Sequence, residues 1–83
     1  MKQPLGVRVE RAIRTHIARE GLKEGDPLPS ELEFAQMLDV SKSTIRESIR
    51  RLEAVGYVTI RHGVGLRVGN FSIKPVVSAL PYD

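Results

Sequence analysis

The chain has no cysteine and no tryptophan, and only two tyrosines and two phenylalanines among its 83 residues. Without cysteine there is no disulfide, no thiolate metal site and no Cys nucleophile. No apolar run approaches the roughly 18 residues that span a membrane. Nor does Met1-Lys2-Gln3-Pro4 lead into the apolar core of a signal peptide, so the expected compartment is the cytoplasm. Only His16 and His62 could offer imidazole, they lie far apart, and no carboxylate pair has metal-ligand spacing. Neither metal nor cofactor is expected. Gly63-Val64-Gly65 is too short for a phosphate-binding loop and lacks its strand-to-helix context. The serines sit where helices are capped, with no histidine placed to relay a proton. No enzyme chemistry is legible.

What is present suits one small domain. A chain of this length buries only about 60–65 % of its unfolded surface. Its apolar content of 41% is enough for a small core, and 28% charged residues is ordinary for a globular domain. The net charge of +3 is unevenly spread. Residues 1–20 hold five basic and two acidic side chains, and 21–40 hold one and five. Residues 41–70 hold six and two, and 71–83 hold one of each. A basic block over 41–70 fits a polyanion footprint, and equally an ordinary solvated face.

Between Val7 and Glu20, Val9, Ala12, Ile13 and Ile17 recur at helical spacing, with Arg11 opposite, and Gly21 is placed to end the helix. Glu24-Gly25-Asp26-Pro27 reads as a turn, and Leu28 allows only a very short strand before Pro29. Ser30-Glu31-Leu32-Glu33 is a capping box opening a second helix to about Leu38, with Phe34, Ala35 and Leu38 inward. Asp39-Val40 breaks it. Ser41 caps a third helix from Lys42 to about Val55, its buried stripe Ile45, Ile49, Leu52 and Val55. Val40 and Ile45 stand at the two ends of a hydrophobic staple. After Gly56 the period falls to two: Tyr57 to Arg61 alternates, His62-Gly63-Val64-Gly65 turns, and Leu66-Arg67-Val68 returns. An isolated hairpin is marginal in water, so this one is expected to pack through Val58, Ile60, Leu66 and Val68. The fold class is therefore mainly α with a small β-hairpin, residues 1–70 forming the domain and 71–83 reading as a linker.

The outward face of the third helix shows Ser43, Glu47, Arg50 and Ala54, with Arg46 beside them. A recognition helix presents its N-terminal residues to base edges in the major groove, where the arginine fork can pair with guanine O6 and N7. Ser43 and Thr44 can bond to phosphate or base. The same side chains could simply solvate an exposed helix. A turn of Arg61 to Gly65 beyond the helices could enter a minor groove, or be a plain hairpin turn. The helix-turn-helix directly upstream favours the first.

The order helix, Leu28-Pro29-Ser30-Glu31, helix, Val40-Ser41-Lys42-Ser43-Thr44-Ile45-Arg46-Glu47, Leu52-Glu53-Ala54-Val55-Gly56 and Gly63-Val64-Gly65 closely resembles the N-terminal winged helix-turn-helix domain of the GntR family of bacterial transcriptional regulators. The likeness covers about residues 5–70, and Asn70 to Pro75 looks most like the FadR-type branch. It implies three helices plus a wing, with helix 42–55 in the major groove and wing 61–65 in the minor groove. It also implies a linker to a C-terminal effector and dimerisation domain absent from this chain. The expected partners are double-stranded DNA with a pseudo-palindromic operator, a second copy in the full-length regulator, and a small-molecule effector bound elsewhere. By that resemblance Ser41-Lys42-Ser43-Thr44 and Arg46 read bases and phosphates, and His62 and Gly63 form the wing tip. With the remaining motif positions, the residues expected at DNA are Ser30, Leu32, Ser41, Lys42, Ser43, Thr44, Arg46, Glu47, Arg50, His62, Gly63 and Gly65.

Two positions depart from the family's usual pattern. Leu32 stands where an arginine normally reaches DNA, about 110° from the buried face by helical geometry. Lys42 replaces another arginine, and its point charge suits phosphate better than bidentate base reading. A protein-docking module, or a duplex binder without sequence preference, are the competing readings.

Overall fold

A computed structural model describes residues 4–70. The elements run α1 (Leu5–Arg19), α2 (Glu31–Leu38), α3 (Lys42–Ala54), β1 (Val58–Arg61) and β2 (Gly65–Val68). The winged helix-turn-helix expected from the sequence is the fold observed.

Each helix boundary has a local chemical cause. Ser30 accepts from the Glu33 N–H at 3.1 Å, while the Ser30 N–H donates to Glu33 Oε1 at 2.8 Å, so the capping box is closed in both directions. Ser41 accepts from the Thr44 N–H at 3.1 Å and starts α3. At the other ends, Leu22 donates to Ile17, Val40 to Ala35 and Tyr57 to Leu52, each closing a six-residue backbone ring. That ring needs one left-handed residue just past the helix. Gly21 (φ 64°) and Gly56 (φ 88°) supply it for α1 and α3, and Asp39 (φ 57°) does so for α2.

The core collects one stripe from every element: Val9, Ile13 and Ile17 from α1, Phe34 and Ala35 from α2, Ile45, Ile49 and Leu52 from α3, Val58 from β1, and Leu66 and Val68 from β2. Helix α3 packs against α1, α2 and β1, so it is the hub of the fold. This leaves its opposite face to solvent. The half-buried His16 meets Phe34 edge-on, ring centroids 5.7 Å apart, which makes it a packing residue.

The hairpin pairs antiparallel, from Val58 with Val68 to Arg61 with Gly65, leaving His62, Gly63 and Val64 as the loop. Val64 donates back to the Arg61 carbonyl, and Gly63 (φ 77°) takes the turn position that a side chain would resist. The brief strand expected at Leu28 is a single bridge of Pro27 with Arg67, extended by the Leu28 N–H to the Leu66 carbonyl. Arg67 Nη1 also donates to the Gly25 carbonyl at 3.2 Å, tying the turn before α2 to the wing.

Several expectations need correction. Val55 is 64% exposed because α3 stops at Ala54, and the turn into Gly56 carries Val55 off the buried stripe. Its place at the stripe's edge goes to Ser48, fully buried, donating to the Gly6 carbonyl at 3.5 Å. Ile60 is 48% exposed, although strand alternation puts it on the same side of β1 as the buried Val58. Leu38 packs on the core but is only half-buried. Helix α1 begins two residues earlier than the periodicity indicated, at Leu5, and β2 takes in Gly65. The linker expected over 71–83, and the stretch resembling the FadR-type branch beyond Asn70, lie outside the described residues.

Candidate nucleic-acid interface

The expected site residues fall on three pieces of the fold: the start of α2, the outward face of α3 and the wing loop. At the head of α3 the hydroxyls of Ser41, Ser43 and Thr44 form a cluster. Ser41 Oγ lies 3.2 Å from Ser43 Oγ and 2.9 Å from Thr44 Oγ1. Ser41 Oγ also accepts the Thr44 amide, which leaves its proton and one lone pair to share with the two neighbouring hydroxyls or a ligand. Ser43 is exposed and Thr44 half-buried. Ser30 is in a similar state, exposed but accepting at its own cap.

The cations of α3 divide into held and unheld. Lys42 and Arg50 are exposed, and their side chains make no ion pair or hydrogen bond among the described residues. Glu47 is exposed on the same face, likewise without a partner among the described residues. Arg46 differs. Its Nε and Nη2 donate to Glu31 Oε1 at 3.3 and 3.1 Å, linking α3 to the first residue of α2. Arg51 points the other way: it pairs with Glu10 and donates to Ser48 at 3.4 Å, which makes it a tie between α3 and α1. Leu32, one residue after Glu31, is 51% exposed, as its helical angle required.

On the wing, Arg61, His62, Gly63, Val64 and Gly65 are all exposed, and Arg61 and His62 have no side-chain partner among the described residues. The arrangement therefore offers free cations and hydroxyl protons along one helix face, and a projecting loop with a cation and an imidazole. That set can bind phosphate and donate hydrogen bonds to base edges. Among the described residues, no serine or threonine hydroxyl of the site is hydrogen-bonded to a histidine or a carboxylate side chain. Glu31 as a partner of Arg46 was missed from sequence, because only the crossing of α2 and α3 brings the two together.

A family model described as "Bacterial regulatory proteins, gntR family" matches residues 5–68. Among similar proteins, the HTH-type transcriptional repressor NanR of Cronobacter sakazakii is 33% identical over 79 residues, 95% of this chain and 30% of that protein. The fatty acid metabolism regulator protein of Shewanella pealeana is 37% identical over 62 residues, 75% of this chain and 26% of that protein. The chain thus spans less than a third of the length of these relatives. Among solved structures, a possible transcriptional regulator of Bacillus subtilis, YydK, superposes with a TM-score of 0.79 at 30% identity, over 86% of this chain and 31% of that one. The N-terminal domain of AraR, crystallised with mutant ORR3, gives a TM-score of 0.76 at 28% identity, over 83% of this chain and 99% of that one.

Proposed function

The chain belongs to the GntR family of bacterial regulatory proteins and is a DNA-binding domain of a transcriptional regulator rather than an enzyme; from that premise we propose that it reads an operator with α3 in the major groove and the wing 61–65 in the minor groove. The observation carrying this reading is the division of α3. Ile45, Ile49 and Leu52 are buried, while Lys42, Arg46 and Arg50 stand exposed on other faces, with the hydroxyls of Ser41 and Ser43 at the helix start. In this reading Arg46 and Arg50 contact bases, and Glu47 disfavours wrong ones. Lys42 and the hydroxyls of Ser30, Ser41, Ser43 and Thr44 hold phosphate or sugar, and Leu32 packs on a thymine methyl or sugar. His62 sits in the minor groove, with Gly63 and Gly65 letting the backbone approach closely.

In this reading a longer protein carrying this domain binds a pseudo-palindromic operator as a homodimer, takes a metabolite effector in another domain and works in the cytoplasm. Selection from a random duplex pool tests the core of the reading. The chain should enrich a defined motif. Arg46→Ala and Arg50→Ala should each cost about 1–3 kcal/mol on that motif and relax preference at particular base pairs. Equal losses on motif and random duplex would remove both arginines from base reading. Retention of DNA without enrichment would leave only sequence-independent binding, and no retention would favour a protein partner.

A further inference from the structure

We propose that Glu31 is a positioning residue for base reading: it holds Arg46 by one edge of the guanidinium, so that only the other edge can face DNA. This deepens the operator-reading role and rests on it. Arginine can present two donor pairs to guanine, the side edge of Nε and Nη2 or the end of Nη1 and Nη2. In this protein the side edge is taken, with Nε and Nη2 both donating to Glu31 Oε1. Nη1 has no partner among the described residues, and the Arg46 side chain keeps 48% of its exposure. The end of the fork is therefore the pair left to meet guanine O6 and N7.

The anchor is itself fixed. Glu31 is the first residue of α2, directly after the closed Ser30–Glu33 capping box. Its negative charge at a helix N-terminus is favourable, and its side chain is only 32% exposed. An exposed ion pair of this kind contributes little to stability. Its larger consequence is directional: an unrestrained arginine can swing to the nearest phosphate, where it binds every sequence alike. Glu31 also sets a negative charge beside the groove face, which weakens binding to random DNA. Both effects raise the ratio of specific to random affinity, though neither need raise specific affinity itself.

The experiment uses this 83-residue chain, the motif it selects from random duplexes, and that motif varied at each base pair. Glu31→Ala should lower preference about tenfold at the same base pair that Arg46→Ala relaxes, with binding to random duplex unchanged or tighter. Glu31→Gln, which keeps an acceptor without the charge, should recover part of that preference. The double variant Glu31→Ala/Arg46→Ala should show no further loss of preference beyond Arg46→Ala, since the two act through one contact. If Arg46→Ala relaxes a base pair and Glu31→Ala leaves it intact, the positioning role is overturned while operator reading stands. A fall in affinity for all duplexes alike, with a lower melting temperature, would likewise reduce Glu31 to a helix-start residue. If the unaltered chain selects no motif, operator reading falls and the inference falls with it.

Discussion

At single residues, neighbouring backbone leaves no room for a side chain at Gly69. A β-carbon at Gly69 would stand 2.1 Å from the Gly56 carbonyl oxygen and 2.9 Å from its carbon. Neither can move without disturbing the turn after α3, because the Gly69 N–H donates to the Tyr57 carbonyl at 2.8 Å in that turn. At Gly6 a β-carbon would meet only the Arg51 guanidinium, Nη2 at 2.4 Å and Cζ at 3.4 Å, the far end of a long side chain held by an exposed ion pair with Glu10. The two substitutions should therefore differ sharply. Gly69→Ala should cost about 1–3 kcal/mol, as overpacking against fixed atoms does. Gly6→Ala should stay within about 1 kcal/mol of neutral, since the helix gain of alanine over glycine offsets the displaced guanidinium. Urea titration of both variants checks this, and equal losses would mean that Arg51 is not free to move.

At the scale of elements, α2 is the least well ended. Its C-terminal ring is closed through Asp39 in the left-handed region (φ 57°), where α1 and α3 use glycine. A β-carbon is disfavoured there, although aspartate tolerates it better than most residues. Asp39→Gly should stabilise the domain by up to about 1 kcal/mol, raising the melting temperature by about 4–8 °C per kcal/mol for a domain of this size. Thermal unfolding followed by circular dichroism decides it, and an unchanged or lower midpoint would show that the Asp39 backbone is not strained. These helix ends also show what sequence could and could not reveal. Ser30, Ser41, Gly21 and Gly56 act through their nearest neighbours, so their roles were legible from residue type alone. Val55 and Ile60 were misplaced because periodicity extends a stripe indefinitely, whereas burial ends where the packed neighbour ends. Ser48 escaped because a hydroxyl is not counted as core, though its angle on α3 lies within the stripe and the Gly6 carbonyl receives it. Of the site, Lys42, Arg50 and His62 were legible as exposed groups at known motif positions. The Glu31–Arg46 contact joins residues fifteen apart on different helices, so no local pattern encodes it.

Across the whole molecule the modest +3 is a sum of unlike regions, with the acidic excess over 21–40 and the basic excess over 41–70. Folding puts Lys42, Arg50 and Arg61 on exposed positions of α3 and β1. Binding should thus be strongly salt-dependent despite the small total, and Lys42→Ala should flatten the slope of log K against log salt by about one unit. One copy offers only a single-module interface, roughly 600–1,000 Å² on DNA. A lone chain should therefore bind a palindrome weakly, filling each half-site as though the other were absent. Joining two copies through a flexible linker that spans both half-sites makes the second contact intramolecular, and should raise affinity for the palindrome about 10²–10⁴-fold. The same linked pair should gain almost nothing on a duplex carrying one half-site, which separates avidity from a change in the domain itself. Titrating linked and unlinked chains on both duplexes by fluorescence anisotropy measures the difference. Equal affinities of the linked pair for the two duplexes would refute a two-copy operator. Cooperative binding by unlinked chains would instead place a dimer contact within these 83 residues.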